Sequence, residues 1–183
     1  MLFAHDTEEA LRSAAALINT APWRPGASDE LATPEQLDAF VEAWRWSGSR
    51  THDEEELRQV QELRPRLRRI WTAPVDEMVE GVNALLRDAG ALPQLVRHDG
   101  WDWHLHAVDP SRPLAERMAV EAAMALVDVI RAGETHRLKT CGADDCEDVV
   151  VDLSKNRSKR YCDSGCGNRL AAAAYRARRA QES

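Results

Sequence analysis

The sequence predicts a mainly α protein. A helical N-terminal domain over residues 1–136, carrying one small β-hairpin, precedes a C-terminal module over residues 137–183 of the treble-clef or ribbon-like type. Three observations carry this expectation. Apolar residues recur at helical spacing through most of the first 135 positions, punctuated by caps and breakers. One stretch, "LPQLVRHDGWDWHLHAVD", alternates instead around Asp99-Gly100, the strongest short hairpin signal in the chain. All four cysteines fall between residues 141 and 166 of a 183-residue chain.

The elements follow in order. In "HDTEEALRSAAALINT", Asp6 is the expected cap, acids fill the first turn, and Leu11, Ala14, Ala15 and Ile18 share a face. "TPEQLDAFVEAWRW" opens with Thr33 as cap, Pro34 at the first helical position and Gln36 completing a capping box. "DEEELRQVQELRPRLRRIW" predicts a third helix, kinked or split at Pro65, its acids at Asp53–Glu56 favoured by the dipole. "PVDEMVEGVNALLRDAG" ends on Gly90 as a C-terminal cap, and the apolar "PLAERMAVEAAMALVDVIRAG" ends on Gly133.

Between these two helices, a two-residue turn at Asp99-Gly100 would place Trp101, Trp103 and Leu105 on one face and Asp102, His104 and His106 on the other. The tryptophan face is expected to pack on the helices. His98 would join the tryptophans, so the three histidines make a weak metal set, and packing or exposure is the favoured reading. Of the six tryptophans (Trp23, Trp44, Trp46, Trp71, Trp101, Trp103), most are expected in the core. The rest would line a ligand pocket between helices and hairpin.

Bulk composition bounds the function. No apolar run approaches the 18 residues of a membrane helix, and the N-terminus has early acids and no basic region. A cytoplasmic protein with no membrane association and no signal peptide is expected. Net charge is −7, which by itself argues against a general nucleic-acid binder. The charge is divided, however. Residues 154–179 hold eight basic side chains against one acid, a net of +7, while residues 1–153 hold 16 against 29, a net of −13. An acidic body with a basic tail implies that the tail meets an anion.

The cysteines follow the pattern Cys-x4-Cys, 15 residues, Cys-x3-Cys. Two close pairs joined by a polar turn can bring four thiolates around one Zn2+ at about 2.3 Å. In a reducing compartment such clustering favours a metal over disulfides, and a redox dithiol would use Cys-x-x-Cys, which is absent. Four thiolates fill a tetrahedral shell, so the expected role of Cys141, Cys146, Cys162 and Cys166 is structural, not catalytic. Between the pairs, "EDVVVDLSKNRSKRY" predicts a β-branched strand, a polar turn and a second short strand. After the last pair, the alanine-rich "GNRLAAAAYRARR" predicts a helix. So small a module draws much of its folding free energy from the metal. Four thiolates on Zn2+ leave a −2 cluster, which Lys139, Arg157, Arg160 and Arg169 could offset. For Arg169, service to the thiolates and contact with a ligand are equally weighted.

"RYCDSGCGNRLAAAAYRARR" resembles the signature of the bacterial CGNR zinc-finger family, in which a Cys-Gly-Asn-Arg motif opens a basic helix. "DLSKNRSKR" resembles that family's Asp-x-Ser and arginine run before the third cysteine. In that family the finger follows a mainly helical domain named ABATE, and "INT" at Ile18–Thr20 resembles the end of that domain's first motif. One departure is that the hydrophobic strand expected before the first helix is reduced to "MLFA". The resemblance implies one zinc held by the four cysteines, with Gly167, Asn168 and Arg169 as the motif. It implies a transcription regulator or RNA-binding protein and supplies no catalytic residues.

On the last helix, Arg169, Arg176 and Arg179 recur at spacings of seven and three, beside Tyr175. Arg178, with Lys155, Arg157, Lys159 and Arg160 from the preceding loop, widens the basic patch. Such a surface suits phosphates, because each neutralising cation releases counterions. The expectation is therefore a non-enzymatic DNA- or RNA-binding regulator, whose helical domain senses a small-molecule effector or forms a homodimer. The alternatives are a protein–protein adaptor with a purely structural finger and, third, an enzyme using the tryptophan-lined pocket. No glycine-rich phosphate loop, nucleophile elbow or paired His-Glu zinc motif supports that last reading.

Overall fold

The structure is a computed structural model and describes residues 2–23, 26–97 and 103–181. Helix α1 (His5–Asn19) is followed by α2 (Pro34–Ala43), α3 (Glu54–Thr72) and α4 (Val75–Asp88). The hairpin strands β1 (Gln94–Val96) and β2 (His104–His106) come next, then α5 (Leu114–Arg131). Strands β3 (Leu138–Thr140) and β4 (Val149–Val151) form a second antiparallel pair, and α6 (Cys166–Gln181) ends the chain.

Local chemistry sets the helix ends. Thr33 and Gln36 form the expected reciprocal capping box on α2. Asp53 caps α3 by accepting from the Glu56 N–H at 2.8 Å. Helix α1 differs from expectation: Ala4 is its N-cap, with no side-chain cap bond, and Asp6 lies inside, accepting from the Thr7 N–H. Gly90 and Gly133 follow α4 and α5 with φ of 58° and 69°, the left-handed conformation that releases a chain from a helix. Pro65 neither splits nor ends α3. It removes the donor that the Gln61 carbonyl would receive, and Arg64 Nε approaches that carbonyl at 3.5 Å instead.

Helix α5 is the centre of the core. Leu114, Met118, Ala122, Ala123, Leu126 and Val129 are all buried, against α1, α3 and α4. Strand β4 belongs to two cores at once. Val149 and Val151 pack with the helices, whereas Val150, pointing to the other face, packs with the four cysteines. The last module is thus seated on the helical domain through alternate residues of β4, with Leu138 of β3 packed beside them and Arg68 of α3 donating to the Glu147 carbonyl.

The first hairpin corrects three expectations. Its register pairs Val96 with His104 and Leu95 with Leu105, one residue from what a two-residue turn at Asp99-Gly100 requires. That slip exchanges the faces of β1 relative to β2. The turn itself, with His98, Trp101 and Asp102, lies outside the described residues. Trp103 is 64% exposed and shares its face with exposed Leu95 and Leu105, so this face meets solvent, not the helices. The tryptophans are also less central than expected. Trp71 alone of those described is fully buried; Trp23, Trp44 and Trp46 are half-buried. A cavity of about 420 Å³ does lie between the end of α4 and the hairpin, but no described tryptophan lines it.

Candidate metal centre and nucleic-acid interface

Strands β3 and β4 deliver the first cysteine pair. Cys141 follows β3 directly, and its N–H donates to the Asp148 carbonyl at 2.8 Å, closing the loop that carries Cys146. Cys162 ends the connection from β4, and Cys166 is the first residue of α6. The expected second strand between the pairs does not form. β4 pairs instead with Leu138–Thr140 ahead of Cys141, and residues 152–161 form a loop.

Asp152 is why that loop needs no ladder. Wholly buried, it accepts from the Ser154 N–H at 3.0 Å, the Ser154 hydroxyl at 2.5 Å, the Lys159 N–H at 3.1 Å and Lys139 Nζ at 2.6 Å. Burial alone would raise its carboxyl, but the bonds from Lys139 and Ser154 prevail and hold it down to about 2. Buried Arg137 braces the same turn, donating to the carbonyls of Asp152 and Ser154 at 2.8 and 2.9 Å. The Asp-x-Ser sequence is therefore a loop organiser.

The four cysteine sulfurs are buried and all lie within 4.8 Å of one another. Cys146 Sγ and Cys162 Sγ are 3.7 Å apart. Two sulfurs on one tetrahedral Zn2+ at about 2.3 Å stand about 3.8 Å apart, so the set fits that ion. Burial pushes the Cys146 thiol up to about 11 and raises Cys162 as well. For Cys166, burial also acts upward, but hydrogen bonds from Arg169 and the other cysteines outweigh it and lower the thiol. Its place at the start of α6 adds the helix dipole. A bound Zn2+ deprotonates all four. These residues hold one structural zinc.

The motif residues after Cys166 divide by role. A Cβ on Gly167 would stand 3.1 Å from the Tyr161 ring, so the glycine lets the ring lie against the helix start. Asn168 is exposed. Arg169 donates to Asp145 at 2.6 Å and approaches Cys166 Sγ at 3.6 Å, tying the helix start to the first cysteine loop and countering thiolate charge.

The remaining basic residues are spread over two surfaces. In the loop, Lys155 and Arg160 are exposed, the latter with its guanidinium 5.8 Å from the Tyr161 ring centre. Arg157, at φ 54°, reaches Glu134 at 2.9 Å, and Lys159 reaches Asp163 at 2.9 Å. On α6 every residue from 171 to 180 is exposed, including Tyr175, Arg176, Arg178 and Arg179. The helix leaves the metal centre, and half-buried Leu170 packs against the cysteine core at its base.

Sequence reasoning missed the joint between the two modules. The Asn19 side chain donates to the Val149 carbonyl at 2.9 Å and accepts the Val149 N–H at 2.7 Å. Next to it, Thr20 accepts from Arg64, which forms a two-bond pair with Asp29 at 2.7 Å. The "INT" motif is thus the seat on which β4 rests. The motif was visible; its partner, 130 residues away, was not.

The fold and the cysteine centre define a class: a helical domain with a C-terminal structural zinc finger. The chain belongs to the ABATE family, described as "putative stress-induced transcription regulator", whose sequence profile matches residues 11–133. The CGNR zinc-finger profile matches residues 137–179, covering all four cysteines and the basic helix. No curated protein matches the chain. Among the described residues, no helix is long and apolar enough to cross a membrane.

Proposed function

We propose that this zinc-containing protein is a non-enzymatic, nucleic-acid-binding transcription regulator that meets DNA or RNA through α6. The observation that carries the reading is the ten-residue exposed stretch of that helix, with Tyr175, Arg176, Arg178 and Arg179, projecting from the cysteine centre at its base. A helix with a packing role buries one face; this one is exposed throughout residues 171–180 and presents cations and an aromatic ring instead. Lys155 and Arg160 extend the charge beside its base. Arg157 and Lys159 are engaged with Glu134 and Asp163 and contribute less. The helical domain is assigned to effector sensing or dimerisation, and the chain divides functionally at residues 136 and 137.

A gel-shift assay on the zinc-loaded full chain, against mixed DNA and RNA, tests this. The Arg176→Ala, Arg178→Ala, Arg179→Ala triple variant should lose binding. A second reading, a protein–protein adaptor with a purely structural finger, draws on the exposed Leu95, Trp103 and Leu105 face. It leads if neither nucleic acid binds.

A further inference from the structure

The cysteine centre makes no use of the hairpin histidines, and the structure brings two of them together. His104 and His106 stand two residues apart on one face of β2, opposite Val96 and Gln94 of β1. Their Nε2 atoms are 3.1 Å apart, with the rings edge to face and their centroids at 4.9 Å. Two imidazole nitrogens on one ion at about 2.05 Å are separated by about 2.9 Å at a right angle and about 3.3 Å at the tetrahedral angle. The observed separation lies between these limits.

We propose that His104 and His106 chelate a divalent transition-metal ion through Nε2, at a site separate from the structural zinc. Neutral imidazole suits Zn2+, Ni2+, Cu2+ and Co2+, and is a poor ligand for Ca2+ and Mg2+. Both residues are partly buried. Two protein nitrogens leave the remaining positions to water or an exchangeable anion. His106, Gln94 and Val96 line the 420 Å³ cavity, together with Asp109 and Arg112, so those positions adjoin a solvent-open cleft. This separates the site from the cysteine centre, whose four thiolates leave no place for a ligand. The same nitrogen separation also fits a direct imidazole–imidazole hydrogen bond, with one ring donating and the other accepting.

Ni2+ titration of the zinc-loaded full chain, with ions counted by native mass spectrometry, distinguishes the two. One Ni2+ per chain should bind beside the retained zinc. His104→Ala and His106→Ala should each weaken it at least about tenfold, and the double variant should lose it while keeping the zinc and the helical circular dichroism. Failure of the wild-type chain to take up a second ion at about 100 μM free Ni2+ would overturn the proposal, as would wild-type uptake by the double variant. Should the variants misfold, proton NMR of the wild-type chain decides. Paramagnetic broadening should appear first at the His104 and His106 rings; appearance first at His5, His52 or His136 would assign the ion elsewhere and overturn the proposal.

Discussion

Asn19 and Val149 form a two-bond clamp across 130 residues of sequence, a side-chain amide satisfying both backbone groups of one strand residue. It fastens the outer edge of β4 to the end of α1. Asn19→Ala would leave a buried N–H and a buried carbonyl without partners, and each such loss amounts to about 1–3 kcal/mol. The variant should lose stability on that scale in urea, and the Val149 amide should exchange much faster. Wild-type exchange at that amide would mean that the strand is held without the clamp.

Metal loss should be felt in both modules. Sequence alone suggests that Cys162→Ser unfolds residues 137–180 and spares the helices. The structure places Val149 and Val151 in the helical core, so a disordered β4 would open one wall of it. The purified chain should hold one zinc. Chelation or Cys162→Ser should release it and lower the melting temperature of the helical domain as well. A helical domain melting at the wild-type temperature without zinc would show that the two cores are uncoupled.

Arg169 and Arg176 should separate by phenotype. Arg169 engages Asp145 and the Cys166 thiol, so Arg169→Ala should raise the rate at which a chelator removes zinc. Arg176, on the exposed part of α6, should leave zinc retention unchanged and weaken nucleic-acid binding when replaced by Ala. Metal release kinetics with a chromogenic chelator check the first, and binding isotherms the second.

Glu121 supplies a pH signature remote from the metal. Burial raises its carboxyl to about 7, with Asp6 adding to the rise and Arg117 opposing it. An acid raised from 4.5 keeps in the folded state a proton that the unfolded chain has lost. Stability is therefore lost as pH climbs from about 4.5 to about 7, and the loss is constant above. Glu121→Gln should stabilise the chain, and its advantage should grow by about 1 kcal/mol between pH 6 and pH 8. Urea unfolding at the two values measures this; an advantage independent of pH would contradict the shift.

Local and short-range chemistry was legible in the sequence. The Thr33–Gln36 box, the Asp53 cap and the glycine exits are decided within one helical turn, and the cysteine spacing fixes its own ligand set. Long-range pairings were not. Alternation in β4 says that Val149 and Val150 face opposite ways, but not that one faces helices and the other cysteines. Asp152 reads as one more loop acid until Lys139, Ser154 and Lys159 converge on it. The hairpin failed for a different reason: a one-residue change in loop length leaves the alternation intact and moves every cross-strand partner. His104 and His106 share a face of β2 in either register, but the approach of their rings depends on side-chain rotamers that no spacing rule fixes.

If α6 is a nucleic-acid-binding element, affinity must fall with salt. Fluorescence anisotropy on labelled DNA and RNA, with the zinc-loaded full chain at several salt concentrations, gives the slope of log affinity against log salt. The net of −13 over residues 1–153 repels a polyanion, so binding is expected from the basic tail. A steep negative slope is expected, shrinking by about one unit each for Arg176→Ala and Arg179→Ala. Affinity that is absent at low salt for both DNA and RNA, or a slope unchanged by both substitutions, would contradict it.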